Sequence, residues 1–231
     1  MKISSLQKGL VGHWKLSESS FNFATKRFTD SSPYENHGTG NGTQLGGSPT
    51  FQADRMGQPD MSAPFNGSDD YIEIPWDEAL KVTDKLTAGA WVKPTNNTDV
   101  TKGIIGQTDD SPYNWILRQN ANHFEFRAWV GGAQSIASNS ILIPGIWQHI
   151  LASVNNSNEV KIYINGELDK TETGSFTSLY AGDMHTLIGK YDTVTAEYFN
   201  GLIDDVYLYN RVLSQEEITL LYESYHPGVR I

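Results

Sequence analysis

The chain has 231 residues, with 17 Lys and Arg against 27 Asp and Glu, a formal net charge of −10, and no cysteine. That balance opposes binding to nucleic acid, whose affinity for proteins comes from clustered cations. Disulfides and thiolate metal sites are excluded, and no stretch reaches the roughly 20 apolar residues of a membrane helix. The N-terminal "MKISSLQKGLVGHW" lacks the apolar core of a signal peptide. The expected setting is therefore cytoplasmic synthesis, followed by association with a virion or release by a non-classical route.

In chain order, ten short runs rich in β-branched and aromatic residues read as strands: "LVGHWKL", "DYIEIP", "TAGAWVKP", "GIIGQ", "NWILRQ", "HFEFRAWV", "WQHILASV", "VKIYING", "HTLIGK" and "LIDDVYLYN". Each is bounded by Gly, Pro, Asn, Asp or Ser, the punctuation of antiparallel strands. Hairpin turns are expected at "QNANHF" and at Asn165-Gly166, which supplies positive φ angles. The longest stretch without a strand pattern is 29–64, rich in glycine and proline, and a loop of that length is usually functional or locally stabilised. One helix is expected after Ser214, where Ser214 and Glu217 form a capping box ahead of the stripe Ile218, Leu221 and Tyr222. With no linker and no internal repeat, these elements predict a single all-β domain over 1–231. Its architecture is a two-sheet antiparallel jelly-roll sandwich with one short C-terminal helix.

Within the last strand, Asp204 and Asp205 are adjacent. Strand alternation would turn one of them inward, and a buried carboxylate without a partner is costly. Oxygen-rich loops elsewhere could meet it. The loop over 30–38 offers Asp30, Ser32, Asn36 and His37, and "NGSDD" offers Gly67, Ser68, Asp69 and Asp70. Oxygen donors of this kind suit Ca²⁺, which takes six to eight of them. The alternative is that the aspartates accept backbone N–H bonds from turns. Both readings stand at this point.

Seven segments resemble, in order, the LamG-like jelly-roll domains of the concanavalin A-like lectin/glucanase superfamily. They are "GLVGHWKLSE", Asp30 with the "SSPYENHGTG" that follows it, "FNGSDDYIEIP", "LTAGAWVKP", "GIWQHILASVN", "KIYINGEL" and "FNGLIDDVYLYNRVLSQEEITLLY", spanning roughly Gly9 to Tyr222. The resemblance implies a structural Ca²⁺ site, with side-chain ligands from Asp30 and Asp205 and carbonyls from Asn36 and Gly67. It also implies that Trp14, Trp91 and Trp147 are core residues and that His149 is a packed strand residue. Departing from the family's usual Gly-Asn, the chain has Pro33-Tyr34-Glu35 in the first loop.

The same superfamily contains retaining glucanases that use an E-x-D-x-x-E spacing, found here as Glu167, Asp169 and Glu172. Retention needs two carboxyls about 5 Å apart across the sugar bond. Leu168, Lys170 and Thr171 between them do not give the strand an apolar face, so a solvated charged strand is the expected reading. No G-x-S-x-G, H-E-x-x-H or phosphate loop occurs, and the six histidines show no metal-ligand spacing.

A binding face is legible at residues 109–132, "DDSPYNWILRQNANHFEFRAWVGG". Parity groups Glu125, Arg127 and Trp129 on one face and Phe124 and Phe126 on the other. If the phenylalanines are core, the first set faces outward as a platform for a sugar ring, since Trp and Tyr combine an apolar body with a polar tip. The candidate ligand-binding residues are Tyr113, Trp115, Arg118, Glu125, Arg127 and Trp129. In the competing reading Trp115 and Trp129 are core and Glu125–Arg127 is an ordinary ion pair. The expected function is a non-catalytic recognition module for a glycan or cell-surface polysaccharide. The alternatives are an adhesive or decoration component of a phage or other particle, bound to other assembly proteins, and last a glycoside hydrolase or polysaccharide lyase.

Overall fold

The computed structural model describes residues 4–97, 101–108, 113–155, 157, 159–174, 176, 179, 182–192 and 197–224. A short helix α1 (Ser4–Gln7) leads into β1 (Leu10–Trp14), followed by the small strands β2 (Phe21–Asn22), β3 (Arg27–Phe28), β4 (Gly38–Asn41), β5 (Ala63–Asn66) and β6 (Tyr71–Ile74). The middle of the chain forms β7 (Leu86–Pro94), β8 (Lys102–Gln107), β9 (Trp115–Asn120), β10 (His123–Trp129) and β11 (Ala133–Ile141). Then come β12 (Gln148–Val154), β13 (Glu159–Ile164), β14 (Glu167–Thr173), β15 (Thr186–Ile188), β16 (Asn200–Tyr209) and the helix α2 (Gln215–Glu223).

The strands build two sheets. One has seven strands in the order β1-β16-β7-β12-β13-β14, with β5 also pairing β16, and the other has nine in the order β11-β10-β9-β8-β15-β6-β4-β3-β2. The expected all-β sandwich is the observed architecture. The strands absent from the sequence reading, such as β4 inside the 29–64 loop and the exposed edge β11, carry no apolar alternation, and the exposed edge β14, expected as a solvated charged strand, carries none either. They are strands by virtue of their backbone partners.

Alternation fixes what each face does. Ile203, Val206 and Leu208 of β16, Ala88, Ala90 and Val92 of β7, and Ile150 and Ala152 of β12 join Trp14, Trp115, Phe124 and Phe126 in the core between the sheets. The outer face of the seven-stranded sheet carries a second apolar layer in which Tyr207, Tyr209, Leu151 and Tyr163 pack beneath Ile218 and Leu221 of α2. This double cover explains why β12 is buried on both faces. The α2 capping box forms as the sequence requires, with both Ser214 and Glu217 bonds made. Asn165 and Gly166 adopt φ of 52° and 82° in the β13–β14 turn, and Ala121 takes φ 50° in the β9–β10 turn. Among the described residues no helix is long and apolar enough to cross a membrane.

Candidate functional site

Two places on the molecule concentrate chemistry. The first is the outer face of the nine-stranded sheet at β9 and β10. With Phe124, Phe126 and Ala128 directed into the core, parity turns Glu125, Arg127 and Trp129 outward, as expected. Register sets Arg118 against Glu125 and Arg127 against Ile116. Trp129 meets Tyr113 edge-on at 5.9 Å, and Tyr113 lies 6.5 Å from Tyr191. The Arg127 guanidinium sits 5.4 Å from the Tyr113 ring centre, and that of Arg118 sits 5.0 Å from the Tyr191 ring. Burial pushes the Tyr113 hydroxyl up, and Arg127 opposes it.

The six candidate residues divide. Arg127 and Trp129 are half-buried on the accessible face. Trp115 is fully buried between the sheets and donates from Nε1 to Gln107 Oε1 at 3.1 Å, so it is a core residue and not part of a ligand surface. Arg118 and Glu125 are also withdrawn. Arg118 Nε donates to Glu125 Oε1 at 3.0 Å, Asn120 Nδ2 donates to Oε2 at 2.7 Å, and both side chains are under a tenth exposed. Arg118 is covered by the segment bearing Tyr191, which is held to the sheet where Thr108 Oγ1 donates to the Tyr191 carbonyl. Tyr113 is buried but remains in the aromatic cluster. Parity shows which way a side chain points, but it carries no information about a distant segment that lies across it. Residues 109–112 of the candidate hairpin, and His226 among the histidines, lie outside the described residues.

The second place is the aspartate pair. Asp204 pairs with Trp91 of β7, but the next pairing is Tyr207 with Gly89, so β16 carries one extra residue. Asp205 takes φ 45° in this bulge. Alternation is therefore broken. Ile203 and Val206 both face the core, and both carboxylates emerge on the outer side, where strict parity had sent one of them inward. There Arg55 lies between them, Nη1 donating to Asp204 Oδ2 at 2.6 Å and Nη2 to Asp205 Oδ2 at 3.2 Å. The guanidinium rests 4.6 Å from the centre of the Trp91 ring. His13 Nε2 meets Asp205 Oδ1 at 3.2 Å, and the His13 ring stacks on Tyr207. Burial, followed by the charge of Asp205, pushes the Asp204 carboxyl well above the usual carboxylate range, against the pull of Arg55.

Asp30, Asn36 and Gly67 were expected to join Asp205 around an ion; the oxygens of the first two accept from protein donors, and Gly67 lies apart. Asp30 Oδ1 accepts from the N–H groups of His13 and Ser32, both at 2.8 Å. Its Oδ2 accepts from Ser32 Oγ at 2.6 Å and Asn36 N at 2.9 Å. The Asn36 carbonyl accepts from Trp14 Nε1 at 2.8 Å. Gly67 lies beside Asn200, at the far end of β16 from Asp205, about 16 Å away at the rise of a strand. Asp70 in the same loop accepts from the N–H groups of Gln44, Leu45 and Asn66. These four residues do not form a donor set that fits Ca²⁺, and the turn-bonding reading describes Asp30 and Asp70.

In the E-x-D-x-x-E stretch, Asp169 falls at a bulge of edge strand β14, where it accepts from the N–H groups of Asn139 and Ser140 of β11. The sequence reading missed Arg55. A signal was present, because Arg55 is the only Lys or Arg from residue 28 to 80, a span with nine Asp and Glu. It also missed an open groove of about 760 Å³ at the start of β16, lined among others by Gln44, Gln52, Lys93, Thr95 and Asn200.

A family model of the concanavalin A-like lectin/glucanases superfamily matches residues 66–219. No curated protein sequence matches the chain. Among solved structures, the binding domain of Paraclostridial Mosquitocidal Protein 1 superposes with a TM-score of 0.71 at 16% identity, over 95% of this chain and 53% of that one. The ligand binding domain of botulinum neurotoxin serotype D, in complex with N-acetylneuraminic acid, gives 0.70 at 16% identity over 96% and 52%. A structure from work on botulinum neurotoxin type C, whose cell entry depends on interaction with two ganglioside molecules, gives 0.72 at 16% over 97% and 53%. The chain thus spans about half the length of these neighbours, and at such identities the likeness is one of fold.

Proposed function

Because the chain belongs to the concanavalin A-like lectin/glucanases superfamily, we propose that it is a non-catalytic carbohydrate-recognition module that reads glycans with the outer face of its nine-stranded sheet. The observation that carries this reading is the aromatic group of Trp129, Tyr113 and Tyr191, with Arg127 set against the Tyr113 ring. Half-buried Trp129 and Tyr191 offer ring faces for the apolar side of a sugar, with polar tips for its hydroxyls. Arg127 makes no ion pair among the described residues, in a chain whose net charge is −10. A guanidinium that no carboxylate among the described residues pairs with favours an acidic sugar, since arginine binds carboxylates bidentately. The structural neighbour holding N-acetylneuraminic acid supports the same ligand class.

Binding to an array of neutral and acidic glycans, followed by calorimetry, tests the proposal. Trp129→Ala should weaken binding about tenfold by removing the stacking surface. Arg127→Gln should remove the preference for acidic over neutral glycans while leaving the fold intact. A protein that binds no glycan, or two variants that bind as the wild type does, would refute the assignment.

A further inference from the structure

We propose that the Asp204–Asp205 pair is a cation site that the chain fills with its own Arg55, so that this domain holds its sheet to its long loop through a guanidinium and needs no divalent ion to fold. This inference is independent of the glycan reading.

The geometry is that of a built site. The bulge at Asp205 aims two adjacent carboxylates at one point, which an ordinary strand would not do. At that point stands a planar cation that gives one nitrogen to each carboxylate, at 2.6 and 3.2 Å. The three side chains are only 7, 5 and 7% exposed. A buried carboxylate pair without compensation would be expelled or neutralised, so the cation is a requirement of the arrangement. Trp91 completes the cradle with its ring face 4.6 Å beneath the guanidinium carbon.

Arg55 is delivered by a local device. Asp54 Oδ1 accepts from the N–H groups of Met56 and Gln58, and Asp54 N donates to the Gln58 carbonyl, closing a tight turn around the arginine. The base of the arm is pinned where Gln52 bridges Ser62. No other Lys or Arg lies between residues 28 and 80, so the arm carries no substitute. Nearby oxygens are also engaged from within, since Asp205 Oδ1 faces His13 and the two Asp30 oxygens accept from four protein donors. An ion entering here would have to displace Arg55.

The test is a set of melting curves on the full chain. The wild type should melt at the same temperature with chelator and with millimolar calcium. Arg55→Gln should melt about 10 °C lower, because it strands two buried carboxylates, and calcium should raise its melting temperature. The triple variant Arg55→Met, Asp204→Asn, Asp205→Asn should recover most of the loss, a readout that survives if the single variant fails to fold. The proposal is overturned by a wild type that chelator destabilises or by an Arg55→Gln protein that melts like the wild type. Indifference of that variant to calcium, or a triple variant no more stable than the single one, would also overturn it.

Discussion

Lowering the pH should destabilise this protein through His149, and the size of the effect follows from its surroundings. His149 lies on β12 under the α2 layer, fully buried, 5.1 Å from the Trp91 ring and 6.0 Å from that of Tyr222. Neither ring nitrogen has a hydrogen-bond partner among the described residues. Burial, reinforced by the Arg55 charge and weakly opposed by Asp205, lowers its pKa from 6.5 to about 3. The unfolded chain therefore binds this proton where the folded chain does not, so stability is complete above 6.5 and is lost as the pH falls toward about 3. At about 1.4 kcal/mol per pH unit the full loss is about 5 kcal/mol, of which about 2 kcal/mol has gone by about pH 5. His149→Phe keeps an aromatic ring of similar size, removes the titration and deletes two unpaired nitrogens. Denaturant unfolding of both proteins at about pH 7.5 and about pH 5 isolates the histidine, because every carboxylate contributes equally to the two. The variant should lose about 2 kcal/mol less on acidification. Equal losses would refute the claim that His149 is buried as the neutral base.

Two other outcomes can be checked. Arg118→Met should cost about 3 kcal/mol in denaturant unfolding by leaving Glu125 buried without its cation, and adding Glu125→Leu should restore much of that. Gly103→Ala should lower both the melting temperature and glycan affinity. A Cβ at that position would lie 2.0 Å from the Lys190 carbonyl oxygen, so the segment bearing Tyr191 would have to lift off the sheet.

What the sequence revealed was what is encoded locally. The α2 cap, the Asn165-Gly166 turn and the outward set of Glu125, Arg127 and Trp129 depend on neighbours a few residues away, and they were legible. The candidate site was legible only in part, because Tyr191 covers Arg118 from 73 residues farther along the chain and no pattern in "NWILRQ" records it. The aspartate pair failed for a related reason. Alternation is a sound rule until a bulge adds a residue, and nothing in "LIDDVYLYN" marks Asp205 as the residue with positive φ. Its partner Arg55 is 150 positions away. The family resemblance implied a calcium ion at Asp205, and the structure sets the Arg55 guanidinium against that carboxylate.

The apolar layer beneath α2 makes the two sides of the molecule unlike. One broad surface is roofed by Ile218, Leu221 and their tyrosine neighbours, while Trp129 and Arg127 lie on the other. A dye or linker attached at the exposed Glu216 would therefore sit on the back of the sandwich, leaving the aromatic side open to an immobilised sugar surface.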